Sequence, residues 1–272
     1  MEGTFPAAEN SKPLSQPPVV FPEFPSAFGA DLKLLLRTAR VGFWRLGKWL
    51  EARRPLIESL VDSWSRYRTL DRSGWLPHHT TPFHLLDPLE EDAEKTSGVI
   101  AEYYQREWPT IEAAFRSRIA GYDWDEETKA TFYEALVAHR HGLYRAVPRA
   151  LFPDIERKVR EAFFSGDLKP RTSLEEVRHA VGKMGFSSLT RTGVFSLKLY
   201  DKFADHLYSH VRTHEQLATI ARDPVPNRHA TLHGLVVYST EKSSLNALIM
   251  AEFAHESISA LMQLADGNEA ES

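Results

Sequence analysis

The 272-residue sequence contains no cysteine, which excludes disulfide frameworks and thiolate metal sites. No apolar run approaches the roughly 20 residues that a bilayer-spanning helix needs. The N-terminal stretch MEGTFPAAENSKPLSQPPVVFPEFPSAFGA lacks the basic start and apolar middle of a secretion signal. These absences predict a soluble, cytoplasmic protein that makes no membrane contact. An excess of positive charge is missing too. The formal net charge is −4, so nucleic acid would have to be held by a local basic site rather than by a general field. Alternating strand-like stretches are almost absent, and the one short instance is GLVVYST at 234–240.

What is present is helical periodicity on a chain long enough to bury a core, with 42% hydrophobic residues. Residues 1–28 are rich in proline and read as a flexible tail. Beyond it, Leu32, Leu35, Leu36, Ala39, Phe43, Leu46 and Leu50 recur at helical spacing, and Pro55 separates two helices. The stretch DRSGWLPHHTTPFHLLDPLEEDAEKT reads as a loop. Its histidines, His78, His79 and His84, read as surface residues, because a proline-rich loop offers zinc no rigid frame of three or four ligands.

One helix is expected over about 90–120. Another follows a capping-box spacing at Asp123 and Glu126 and runs on to about residue 163, kinked or split at Pro148 and Pro153. Ser173 and Glu176 form a further capping box. A long helix then carries His206, His210 and His214 on one face, and a last helix runs from Ser239 or Thr240 to a C-cap at Gly267. The expected class is all-α, a helical bundle. It divides into an N-terminal helical region, 29–165, and a C-terminal one, 166–272, or forms one continuous bundle.

The chemistry gathers in DPVPNRHATLHGLVVYST, residues 223–240. The prolines keep the chain out of a helix until Asn227, a good N-cap, so a helix should start at Arg228. Helix starts bind anions through free N–H groups, and a guanidinium fork suits phosphate. His233 lies five residues on, its side chain leaning back over the first turn, and His229 shares its face. Gly234, read as lying inside this helix, would be explained by close approach of a partner helix. An Arg separated from a following His by four to six intervening residues occurs four times: Arg72 with His78 and His79, Arg222 with His229, and Arg228 with His233. Only the last combines a capped helix start, an HG ending and a long apolar helix behind it.

On these residues the stretch 220–265 resembles HEPN-domain proteins, whose late helix carries Arg, four to six residues, then His. HGLYRAVPRALFPDIERKVRE at 141–161 is similar to an earlier helix of large phage-defence members. The resemblance implies a metal-independent endoribonuclease without cofactor, a toxin or antiviral effector that cleaves RNA through its own 2′-hydroxyl to leave a 2′,3′-cyclic phosphate. His233 would move the protons and Arg228 would stabilise the phosphate, with Asn227 and His229 supporting. Tyr144 and Glu156 are further candidates from the earlier helix. A homodimer would place two motifs in one cleft, and an inhibitory partner is conceivable for such an effector. Two alternatives stand beside this reading. One is a HEPN-like bundle without activity, serving as a scaffold or binding module; the other is a metal enzyme built on His206, His210 and His214.

Overall fold

Short polar side chains set the helix starts. In the computed structural model, which describes residues 61–164 and 202–269 together with Glu51 and Leu199, α1 covers 61–72 and the loop after it holds a 3₁₀ turn, Phe83–Leu85. Asp92 accepts the N–H groups of Glu94 and Lys95 and opens α2, Ala93–Gly121. Asp125 accepts from Thr128 N–H and opens α3, Glu126–Arg140. The cap is therefore Asp125 and not Asp123. Trp124 is buried between the Tyr122 and Phe132 rings, and the chain turns into the helix only after it. The tail 1–28, the pattern at 32–50, Pro55 and the Ser173–Glu176 box lie outside the described residues. The chain divides after residue 58 into two units, and the architecture below belongs to the second.

Glycine, not proline, splits the expected long helix. α3 stops at Gly142, whose φ of 72° is a left-handed conformation that suits glycine. The N–H of Gly142 returns to the His139 carbonyl and that of Leu143 to Ala138, the paired bonds of a Schellman stop. The next helix, α4, is Ala146–Phe164. Pro148 falls in its first turn, where no donor is needed, and Pro153 lies inside it. There follow a π-helical turn, Lys202–Leu207, then α5, His214–Arg222, α6, Arg228–Leu232, and α7, Glu241–Glu269.

The architecture is an all-α bundle, and no strand occurs among the described residues; GLVVYST is turn and coil. α7 is the central helix. Residues 243–255 are buried without interruption, against α4 above all and then α3. A helix buried on every side must find partners for its polar residues. Ser244 meets His139 at 2.8 Å, and Asn246 accepts the Leu76 N–H at 3.0 Å and donates to the Gly74 carbonyl at 2.9 Å. His255 faces Asp154 at 3.3 Å. The helix continues through Gly267, so the stop expected there is not used. One hydrophobic cluster joins residues from α1, α2, α3, α4 and α7, including Leu70, Phe115, Phe132, Phe152 and Leu248. Each such side chain contributes about 1.5–3 kcal/mol by leaving water. No described helix is long and apolar enough to cross a membrane.

Candidate functional site

Asn227 organises the segment that carries the motif. It is fully buried. Its Oδ1 accepts the Ala230 N–H at 2.7 Å and caps α6, as expected from the sequence. Its Nδ2 donates to the carbonyls of His206 at 2.6 Å and Ser209 at 3.0 Å. His206 lies at the end of the π-helical turn and Ser209 beyond it, and the chain leaves helical geometry at Tyr208 until α5 begins. The long helix expected here is thus broken, and His206, His210 and His214 do not share a face. His206 Nε2–H donates to the Val225 carbonyl at 2.7 Å, His210 packs edge-on to His229, and His214 opens α5 in solvent. With both ends of its amide committed inside the fold, Asn227 positions the site.

α6 is only five residues long. It ends as α3 does: Gly234 has φ 67°, its N–H returns to Thr231 and the Leu235 N–H returns to Ala230. Nothing lies within 4 Å of where a Cβ on Gly234 would sit. The positive φ is itself a reason for glycine here, since it stops the helix. Asn227 takes the Ala230 and Thr231 N–H groups at the helix start, and one turn carries little dipole, so an anion held here would rest mainly on side chains.

Those side chains form one cluster. Arg228 turns inward, its side chain 11% exposed, and its Nη1 bonds Glu156 of α4 at 2.5 Å. Glu156 also accepts from Arg160 at 3.0 Å, so within this trio two guanidiniums share one carboxylate. The Arg228 guanidinium lies 5.1 Å from the centre of the buried Tyr208 ring. His233 is exposed at the C-cap of α6, its ring 4.6 Å from that of His229, and the His210 ring is 5.2 Å from His229 on the other side. No hydrogen bond joins Arg228 to His233; His229 stands next to both. Burial, with His233, His210 and Arg228 adding to it, lowers the His229 pKa, so its imidazole is neutral at neutral pH. The structure therefore brings Glu156 to Arg228, and His233 and His210 each to His229. Tyr144 is elsewhere, its ring 5.3 Å from His139, and burial and then Glu241 raise its pKa.

Five buried side-chain polar atoms among the described residues have no hydrogen-bond partner. Four belong to this cluster: Arg160 Nε, Tyr208 Oη, Arg228 Nε and His229 Nδ1. A polar atom stripped of water without a partner costs about 1–3 kcal/mol. Such atoms rarely gather in one place unless something other than stability placed them there.

A second histidine site escaped the sequence reading. His78 is not a surface residue: its Nε2 lies 2.9 Å from Glu252 Oε2, and both side chains are nearly buried. Arg118 Nε and Tyr122 OH each donate to Glu252 Oε1 at 2.7 Å. Burial would raise Glu252, but the bonds from His78, Arg118 and Tyr122 outweigh it and hold the carboxyl at about 2. His79 keeps an edge in solvent, yet the protein around its ring removes enough water, with His78 adding to the effect, to bring it down to about 4. His84 is exposed, as read. One signal was available, since an acid inside the apolar run LIMAEFAHES needs a buried partner. The identity of that partner, 174 positions away, was not legible.

An open groove of about 350 Å³ lies apart from both histidine groups, lined among others by Arg72, Trp75, Lys202, Arg222 and Asp223. Two of its cations are bound internally, Lys202 to Asp223 and Arg72 to the Glu90 carbonyl. Comparison with protein-family models, curated proteins and solved structures finds no match to this chain.

Proposed function

We propose that the cluster around Arg228 is the active site of a metal-independent endoribonuclease. The observation that carries this reading is the gathering of four unpartnered buried polar atoms around Arg228, beside two imidazoles 4.6 Å apart. Cleavage of RNA through its own 2′-hydroxyl needs a base for that proton and an acid for the leaving 5′-oxygen. His233, exposed at the rim, exchanges protons with substrate. The neutral His229 accepts one or holds the other ring in place. Arg228, oriented by Glu156 and Tyr208, stabilises the charge that develops on the phosphate, and the surplus positive charge of the Arg160–Glu156–Arg228 trio adds to it. The product ends in a 2′,3′-cyclic phosphate. Leu232, Leu235 and Val237 are exposed around His233, which supports a second copy of the chain closing over the site. On this reading the protein acts in the cytoplasm as a growth-arresting or antiviral effector related to HEPN proteins.

Purified protein should cleave total RNA in the presence of EDTA, and His233→Ala and Arg228→Ala should each lower cleavage by about 10²-fold or more while leaving the circular dichroism spectrum intact. Cleavage at the wild-type rate in His233→Ala, or cleavage that disappears in EDTA, sinks the proposal. One observation favours a scaffold without activity: the burial of the Arg228–Glu156 pair, which also serves as a tie between α6 and α4. In that case folded wild-type protein leaves RNA intact as monomer and as dimer, and Glu156→Gln changes only stability.

A further inference from the structure

We propose that His78, His79 and Glu252 form a divalent-metal site, with zinc as the ion, that clasps the α1–α2 loop to the central helix α7. One ligand atom from each of the three residues lies within 4.8 Å of the other two. Two imidazoles and one carboxylate form a donor set that zinc takes up with a fourth position left to water. Two ligand atoms at about 2.1 Å from a tetrahedral ion stand about 3.4 Å apart. His78 Nε2 and Glu252 Oε2 already stand at 2.9 Å, so an ion needs them to part by only about half an ångström.

The loop is rigid where a metal needs it to be. Asn246 of α7 holds it at Gly74 and Leu76, and Lys242 holds the Ser73 carbonyl at 2.9 Å. Trp75 is buried and donates to Ser97 at 3.2 Å. A tight turn closes from Thr81 N–H to the His78 carbonyl at 3.0 Å, while Thr81 Oγ1 accepts the His78 N–H at 2.9 Å. Phe115 stacks on His78 at 4.5 Å and meets His79 edge-on at 6.1 Å, fixing both ring planes. Glu252 sits six residues, about 9 Å, beyond Asn246 along the same helix. The two points of attachment therefore fix the loop over the carboxylate.

The surrounding groups suit ligation. His78 Nδ1 lies 2.8 Å from Thr80 Oγ1. A carboxylate only accepts, so without metal the proton of the 2.9 Å contact is on His78 Nε2. When the ion takes that place, the proton moves to Nδ1 and points at Thr80, the outer bond that orients a ligating histidine. The two oxygens of Glu252 divide their tasks: Oε1 receives Arg118 and Tyr122, and Oε2 faces His78. Glu256 also bonds Arg118, at 3.4 Å, and offsets its charge near the ion.

The test uses the full chain freed of metal with EDTA and then dialysed. Titration with Zn²⁺ in a calorimeter should show one saturating equivalent per chain, and Co²⁺ should give the visible absorption of a four-coordinate ion. Excess Zn²⁺ should raise the melting temperature, by an amount that grows with its concentration over Kd. His79→Ala, a change at a partly exposed ring, should keep the metal-free melting temperature and weaken Zn²⁺ binding about a hundredfold or more. His210→Ala and His229→Ala should leave binding unchanged. The proposal is overturned if the wild type shows no saturable binding below about 0.1 mM, if His79→Ala binds like the wild type, or if binding is lost with His210 or His229 instead.

Discussion

The tripeptide His-Gly-Leu ends two helices, at 141–143 and at 233–235, and the backbone solution is the same both times. Each glycine has φ near 70°, and each pair of N–H groups returns to the same two carbonyl positions. What differs is the residues leading in. Before the first stop stand Ala135, Leu136, Val137 and His139; at the matching places before the second stand Asn227, Arg228, His229 and Thr231. Leu136 is fully buried, and His139 points into the core against Ser244 and the Trp108 ring. In the second stretch the imidazoles collect at the surface instead, and the guanidinium takes the inward place. An HG ending is thus a stop signal in both. What sets the second stop apart is the run from Asn227 to Leu232 ahead of it.

The comparison breaks most visibly in catalysis. His233→Ala and His229→Ala should each lower RNA cleavage by about 10²- to 10⁴-fold, whereas His141→Ala, at the equivalent cap, should leave the rate unchanged in the same assay. Next is acid stability. Burial brings His139 down to about 4. The folded state resists a proton that the unfolded chain accepts near pH 6.5, so stability is full above that pH and falls as pH drops from about 6.5 to 4, by about 3 kcal/mol. Denaturant unfolding at pH 7 and pH 4.5 should show the loss, and His139→Gln should remove its share of that pH dependence, leaving the part due to His79. Asn227→Ala should cost about 2 kcal/mol, since it deprives one N–H and two carbonyls of a buried partner. Ala135, its counterpart, already is that residue inside an established helix. Smallest, Gly142→Ala and Gly234→Ala should each cost about 1 kcal/mol by the same backbone strain. A marked inequality in their melting temperatures would mean that the two stops are not alike.

The helical class, the cap at Asn227 and the buried stripe of α7 were legible because each depends on neighbours within one or two turns. The break after Leu207 was not, because an amide twenty residues downstream imposes it. Nor was the destination of Arg228. Its partner Glu156 was named among the candidates, but the ion pair spans 72 positions and depends on how α4 meets α6. His78 was misjudged for a related reason: proline and histidine in a loop look exposed until the helix that receives them is known. Local patterns state what an element is, whereas the cross-links of buried polar groups are settled only when elements meet.

One amide, that of Asn227, ties His210 to His229, since it fixes the bend that presents the first ring and the turn that presents the second. Neither ring is held in place until that amide is, so the two imidazoles take up their positions together. On the proposed function, a chain caught half folded would carry the ingredients of that chemistry without the means to perform it.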